Sequence, residues 1–215
     1  ILGPDSLTFL ERATGAGLAG LLPYHTVAAE LGECRLRVVS SPWRDLPGYY
    51  LIMPADAAPA VWGRIVETGA KPINAEAYEA ARIEYGVPVM DLEMGEVYNP
   101  LEAGLIGCID FAKGCYIGQE VIARLDSYQK VQKYLVKLAF GPDVTVSAGT
   151  RLRHGGQTVG KITSVATVPS TGETIGLAYV RTPNAVVATR LELEAPGAGW
   201  AEVEELPQLF GPGQG

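Results

Sequence analysis

Cysteine and histidine are scarce in this chain, with three of the first and two of the second among 215 residues. Cys34, Cys108 and Cys115 form no Cys-x-x-Cys pair. So sparse and odd a set argues against a disulfide framework and fits a reducing compartment. His25 follows Pro23-Tyr24 and His154 precedes Gly155-Gly156, and neither has a His or Cys partner at ligand spacing. Both read as surface or turn histidines, which leaves little material for a His-based metal site or a Ser-His-Asp triad. No apolar run reaches the ~18 residues of a membrane span, and no charged, then apolar, then small-residue leader opens the chain. Positive charge is also short: 17 Lys and Arg against 24 Asp and Glu give a net −7. Bulk attraction to phosphate backbones is therefore not the driving force. The expectation is a cytoplasmic protein with no metal site, no membrane partner and no nucleic-acid partner.

What is present has globular proportions, 47% apolar and 19% charged, enough for one large domain or two small ones. Residue 1 is Ile, and Ile1-Leu2 before Gly3-Pro4 reads as the end of a strand whose beginning is missing. The chain is thus expected to be the later part of a longer protein. Asp5 or Ser6 can cap a helix through Leu7–Arg12. Arg35–Ser40 and Gly48–Met53 read as strands. Pro54 opens a helix over Ala55–Thr68 that Gly69 stops, and Asn74 caps another over Ala75–Tyr85 that Gly86 stops. Residues 87–100 read as a connection. From Lys133 the texture changes to six short strand-like runs separated by turn residues, which suggests a small all-β barrel or sandwich. The fold class expected is α+β, with residues 1–130 an α+β region and residues 131–215 a C-terminal β-barrel.

Gly15-Ala16-Gly17-Leu18-Ala19-Gly20 matches G-x-G-x-x-G, but a helix rather than a strand precedes it, so it reads as a Gly-rich helix exit. Cys34 at a strand edge and Cys108 in the apolar run Leu105–Ile109 read as small buried hydrophobes. The segment Lys113-Gly114-Cys115-Tyr116-Ile117-Gly118-Gln119-Glu120 is different. Two glycines frame a cysteine in a polar stretch, Lys113 favours its thiolate, and Gln119, Glu120 and Arg124 add directional hydrogen-bond groups. The same residues also fit a tight turn before a helix starting near Gln119, with Cys115 merely packed. Glu102, after Asn99-Pro100-Leu101, and Glu84, before Tyr85-Gly86, are carboxylates beside turns. Each fits either local capping and helix-end charge or the reception of paired N–H donors from a heterocycle such as a pterin.

The run Lys113–Glu120, KGCYIGQE, resembles the signature of the YgfZ family of folate-binding, iron–sulfur-cluster-related proteins. Gly3–Ser6, AYEAARIEYG over residues 77–86 and NPLEAGL over residues 99–105 are similar to stretches of both YgfZ and the aminomethyltransferase (T-protein) of glycine cleavage. Residues 149–180 resemble the C-terminal barrel of that superfamily. The resemblance implies an aminomethyltransferase-like folate-binding lobe, a small C-terminal barrel, tetrahydrofolate or a derivative as ligand, and roughly a hundred absent N-terminal residues. It places Glu102 as the pterin-binding glutamate; Glu84 is a further candidate from its residue type and position alone. Lys130 falls near a ligand-binding arginine of T-protein, a departure that keeps the charge and loses the bidentate fork. The T-protein catalytic aspartate would lie in the absent part.

Three functions follow from the resemblance. The first is a tetrahydrofolate-binding protein supporting iron–sulfur cluster assembly or repair, with Cys115 as the reactive thiolate, Lys113 tuning it, and iron–sulfur proteins or assembly factors as partners. The second is an aminomethyltransferase moving a one-carbon unit to tetrahydrofolate. The third is a non-catalytic folate-binding interaction module. The sequence does not decide whether the protein is an enzyme.

Overall fold

The computed structural model describes residues 1–127, 131–194 and 199–207. The chain divides into two compact units between Ile73 and Asn74. The change of texture at Lys133 coincides with the first barrel strand, whereas the boundary between units falls earlier.

The first unit begins with helix α1 (Ser6–Thr14), which Gly15 ends at φ 69°. Strands β1 (Thr26–Leu31), β2 (Cys34–Ser40) and β3 (Tyr49–Ile52) form an antiparallel sheet in that order. Leu2 bridges Gly48 beside β3, where the sequence indicates a strand end. After Pro54 the expected single helix is split: a 3-10 turn over Ala55–Ala57 precedes helix α2 (Ala58–Thr68), which Gly69 stops. Leu10, Ala29, Leu31, Leu36, Val38, Val61 and Ile65 share one buried cluster. The Gly-rich run after α1 is tied back to its own helix, because Glu11 Oε1 accepts from the N–H of Leu18 at 2.8 Å and of Ala19 at 2.9 Å. Two N–H groups that a dinucleotide phosphate would need are thus already occupied.

In the second unit Asn74 caps helix α3 (Ala75–Glu84), its Oδ1 accepting from Ala77 N at 2.8 Å. Helix α4 spans Gln119–Ser127. Then come β4 (Lys133–Phe140), β5 (Arg151–His154), β6 (Gln157–Thr167), β7 (Thr174–Arg181), β8 (Arg190–Glu194) and β9 (Trp200–Glu205). These six strands close into an antiparallel barrel in the order β4-β7-β6-β5-β8-β9. Among the described residues no α-helix follows Lys133. The interior is filled by Val136, Leu138, Leu152, Ile162, Val180 and Val203 with their neighbours. The outer face of β4 and β7 is buried as well: Leu135, Ile175, Leu177 and Tyr179 pack with Ile83 of α3 and with Ala103. Burial on both faces explains why β7 reads as a nearly continuous apolar run rather than an alternating one.

A bulge in β6 sets the polar centre of this unit. The β6–β7 register shifts between Ile162 and Ser164, so that Ile162 points into the barrel while Ser164 faces outward to Arg82 of α3. Such a bulge re-aims a side chain without breaking the strand. Arg82 Nη2 donates to Ser164 Oγ at 2.7 Å, Arg82 Nη1 to Glu93 Oε2 at 3.0 Å, and Ser164 Oγ to Glu93 Oε1 at 2.5 Å. Arg82 Nε and Nη2 also reach Glu79 Oε2 at 2.9 and 2.8 Å. Arg82 is 1% and Glu93 0% exposed. Val89 N–H donates to Glu93 Oε2 at 3.2 Å, and Tyr179 OH to the Glu93 carbonyl at 2.8 Å. Gly86, at φ +67°, follows α3 against Pro207; a Cβ at Gly86 would lie 2.3 Å from that of Pro207.

Removing one partner of a buried pair leaves an uncompensated charge, which costs about 3–5 kcal/mol. Arg82→Met is expected to lower the unfolding free energy by that amount in urea titration, and a loss below 1 kcal/mol would show that Glu93 finds another partner.

Candidate functional site

The segment between α3 and α4 builds a carboxylate site from local hydrogen bonds. Asn99 Oδ1 accepts from Glu102 N at 2.9 Å, and Glu102 Oε2 accepts from Asn99 N at 3.2 Å. This reciprocal pair has the logic of a capping box and fixes the glutamate side chain. The Glu102 carbonyl accepts from Leu135 N of β4 at 2.8 Å, tying the turn to the barrel. Lys133 Nζ stands 3.9 Å from Glu102 Oε2 and donates to the Val97 carbonyl at 3.3 Å. It also lies 4.4 Å from the ring centre of Tyr98 and 5.4 Å from that of Tyr179. Those two rings stack 3.8 Å apart and 10° from parallel.

Burial pushes the Glu102 carboxyl above its usual 4.5, with the Asn99 N–H and the Lys133 ammonium pulling the other way. Burial also raises the phenols of Tyr98 and Tyr179, helped by the negative charges of Glu93 and Glu102. Both phenols are therefore neutral at neutral pH. Glu102 lines a cavity of about 360 Å³ with Leu101, Leu125, Tyr134, Leu135 and Pro207 among its walls. Glu102 supplies the one charge among the described lining residues. Oε1 of Glu102 has no hydrogen-bond partner among the described residues. A concave site lined largely by apolar side chains, with a few fixed polar groups, is the general form of a small-molecule site.

The cysteine motif forms a separate surface feature. Asp110 Oδ1 accepts from Ala112 N at 2.8 Å and Lys113 N at 3.0 Å, folding the approach into a turn. Gly114 and Cys115 are exposed. Lys113 Nζ lies 5.0 Å from the ring centre of Tyr116, a cation–π contact that engages its charge. Gly118 turns the chain at φ +89° into α4, which starts at Gln119. Glu120 stands in the first turn of α4 and Arg124 in the last, each complementing the helix dipole. None of these motif residues lines the cavity, although Leu125, next to Arg124, does. Glu84 is exposed at the end of α3 and does not line it either; its carbonyl lies 3.5 Å from Lys137 Nζ. Lys130 lies outside the described residues.

Cys108 corrects the sequence expectation of a buried thiol. The apolar run around it forms a 3-10 turn over Ile106–Cys108, and the residue is exposed. Its thiol group is still partly desolvated, and burial pushes it above the ordinary cysteine value. Cys34 is half-buried at the start of β2. The sequence reading also missed Tyr98, Lys133 and Tyr179 as neighbours of Glu102, and Arg82, Glu93 and Ser164 as a buried network. No local spacing signals either group.

Residues 1–113 match the GCVT N-terminal domain, and residues 133–209 match the glycine cleavage T-protein C-terminal barrel domain. The chain belongs to the glycine cleavage T-protein family. An aminomethyltransferase of Thermotoga neapolitana is 30% identical over 201 residues, covering 91% of this chain and 54% of that protein. An aminomethyltransferase of Synechocystis is 26% identical over 209 residues, covering 97% and 56% respectively. A chloroplastic protein of Arabidopsis thaliana, named among the transferases, is 32% identical over 162 residues, 75% of this chain and 37% of that one. The solved glycine cleavage system aminomethyltransferase T of Bartonella henselae shares the fold, with a TM-score of 0.79 at 22% identity over 97% of this chain and 59% of that one. The chain thus spans about half the length, or less, of the curated relatives it matches. No helix among the described residues is long and apolar enough to cross a membrane.

Exposure of Cys115 and the raised Cys108 thiol set an order of reactivity, because the thiolate is the attacking species. Iodoacetamide at neutral pH, followed by peptide mapping, is expected to label Cys115 before Cys108.

Proposed function

We propose that this chain binds tetrahydrofolate or a derivative, with the pterin ring held by Glu102. The observation that supports this is the fixed, nearly buried carboxylate on the wall of a cavity whose other described lining residues carry no charge. A pterin edge offers paired N–H donors. A carboxylate can accept both, and charge-assisted hydrogen bonds of that kind are the strong ones. Oε1 is open to one donor, and Oε2 keeps a second lone pair beyond Asn99. Lys130 is proposed as a further ligand contact, and Glu84, exposed at a helix end, as a weaker one.

One-carbon transfer to the bound folate is the use of the site that the relatives named aminomethyltransferase support. Support of iron–sulfur cluster assembly or repair, as in the YgfZ family, is a second reading that one feature favours. Residues 114–132 fall between the two matched family regions, and they carry the exposed Cys115. On that reading Cys115 supplies the thiolate and Lys113 shapes its surroundings. Cells lacking the native copy separate the two. Cys115→Ser that fails to restore iron–sulfur enzyme activity, while glycine cleavage is unaffected, supports the second reading; loss of glycine cleavage in those cells, restored equally by the native chain and by Cys115→Ser, supports the first.

Glu102→Ala in the full-length chain is expected to weaken folate binding by ~1.5–3 kcal/mol, the range for hydrogen bonds to a charged group. Calorimetric titration with 5-formyltetrahydrofolate measures this, and an unchanged Kd refutes the assignment. The raised carboxyl also fixes a pH dependence. The ionised form is lost as pH falls through a midpoint above 4.5, so affinity declines over that range. Stability runs the other way, since the unfolded state ionises first and gains as pH rises from 4.5 through the folded midpoint. Glu102→Gln removes both dependences.

A further inference from the structure

We propose that Lys133 is a positioning residue for this site, holding the Glu102 carboxylate charged and oriented so that Oε1 faces the ligand. The inference rests on the reading of Glu102 as ligand acceptor and adds the group that sets its charge state. Lys133 does not line the cavity, whereas the next two residues of β4, Tyr134 and Leu135, do. It acts through Glu102 rather than on a ligand.

The ammonium is fixed from several sides. The Val97 carbonyl accepts from it at 3.3 Å, and it lies 4.4 and 5.4 Å from the centres of the stacked Tyr98 and Tyr179 rings. Side-chain exposure is 33% for Lys133 and 10% for Glu102, so solvent screens their interaction only in part. The other groups near the carboxylate do not replace it. Tyr98, in the same segment, and Tyr179, on β7, carry phenols that burial keeps neutral. Glu93 is negative and already paired with Arg82 of α3. Asn99 contributes an N–H and no charge. Lys137, four residues along β4, stands 3.4 Å from Glu204 and 3.9 Å from Glu205. Among the described residues Lys133 is the cation paired with Glu102. Asn99 and Lys133 both approach Oε2, so Oε1 is the oxygen left wholly to one of the ligand's two donors.

The test uses the full-length chain and reads Glu102 first without ligand. Carboxyl carbon NMR titration, assigned with Glu102→Gln, gives its midpoint in wild type, Lys133→Met and Lys133→Arg. An opposite charge at this range shifts a carboxyl by about one pH unit or more, so Lys133→Met is expected to raise the midpoint by about one unit. Lys133→Arg is expected to restore it. Binding of 5-formyltetrahydrofolate should then weaken about tenfold in Lys133→Met below the midpoint and approach the wild-type value well above it. A purely structural role would weaken binding equally at every pH. An unchanged midpoint in folded Lys133→Met overturns the proposal. So does loss of folding in both Lys133→Met and Lys133→Gln, which would make the residue structural. A shifted midpoint with no folate binding keeps the proposed coupling and removes the folate reading. Folate binding that needs Glu102 but ignores Lys133 does the opposite.

Discussion

The buried contact between Arg82 and Glu93 is the constraint on which the second unit depends. A guanidinium and a carboxylate withdrawn from water are tolerable only if every donor and acceptor is met. Here Glu79 and Ser164 accept further guanidinium N–H groups, and Ser164 and the Val89 N–H donate to Glu93. Each partner comes from a different piece of chain: helix α3, the loop after it and a bulged barrel strand. Because Glu93 also receives the Tyr179 hydroxyl at its carbonyl, the loop is fixed just before it reaches Tyr98, Asn99 and Glu102. The candidate site therefore inherits its geometry from an ion pair that takes no part in it.

This arrangement also explains how a loop without regular structure can hold a carboxylate steadily. Loops commonly carry functional groups, but they are mobile unless tied down. The segment here is tied at Glu93 by the buried network, at Glu102 by Leu135 of β4, and at Tyr98 by stacking on Tyr179 of β7. The three ties involve different physical interactions, so weakening one does not release the others. By contrast, the motif around Cys115 lies on the surface, where access rather than rigidity is the property on offer.

What was legible in the sequence is what local chemistry determines. Asn74 announced a helix start and Gly69 and Gly86 helix ends, because caps and left-handed residues act within a few positions. The six barrel strands were readable from alternation and turn residues, and the family resemblance singled out Glu102. Strand β1 was missed, although the two residues Gly32 and Glu33 between Leu31 and Cys34 are a hairpin signal. Cys108 is exposed although its apolar neighbours point to burial, because the run forms a surface 3-10 turn. The Arg82 network and the Lys133–Glu102 pair were invisible for a different reason. Their partners stand 11, 31 and 82 residues apart, and only strand register and a bulge bring them together.

The contact of Gly86 with Pro207 has a consequence for how the cavity can change. Pro207 forms part of the cavity wall, and Gly86 stands behind it without touching the cavity. Any side chain at position 86 would meet the proline ring and drive it toward the cavity or force α3 to give way. The space available to a bound molecule is thus set partly from outside, at a position that a ligand never reaches. A change of specificity could arise there without altering one residue that a ligand touches.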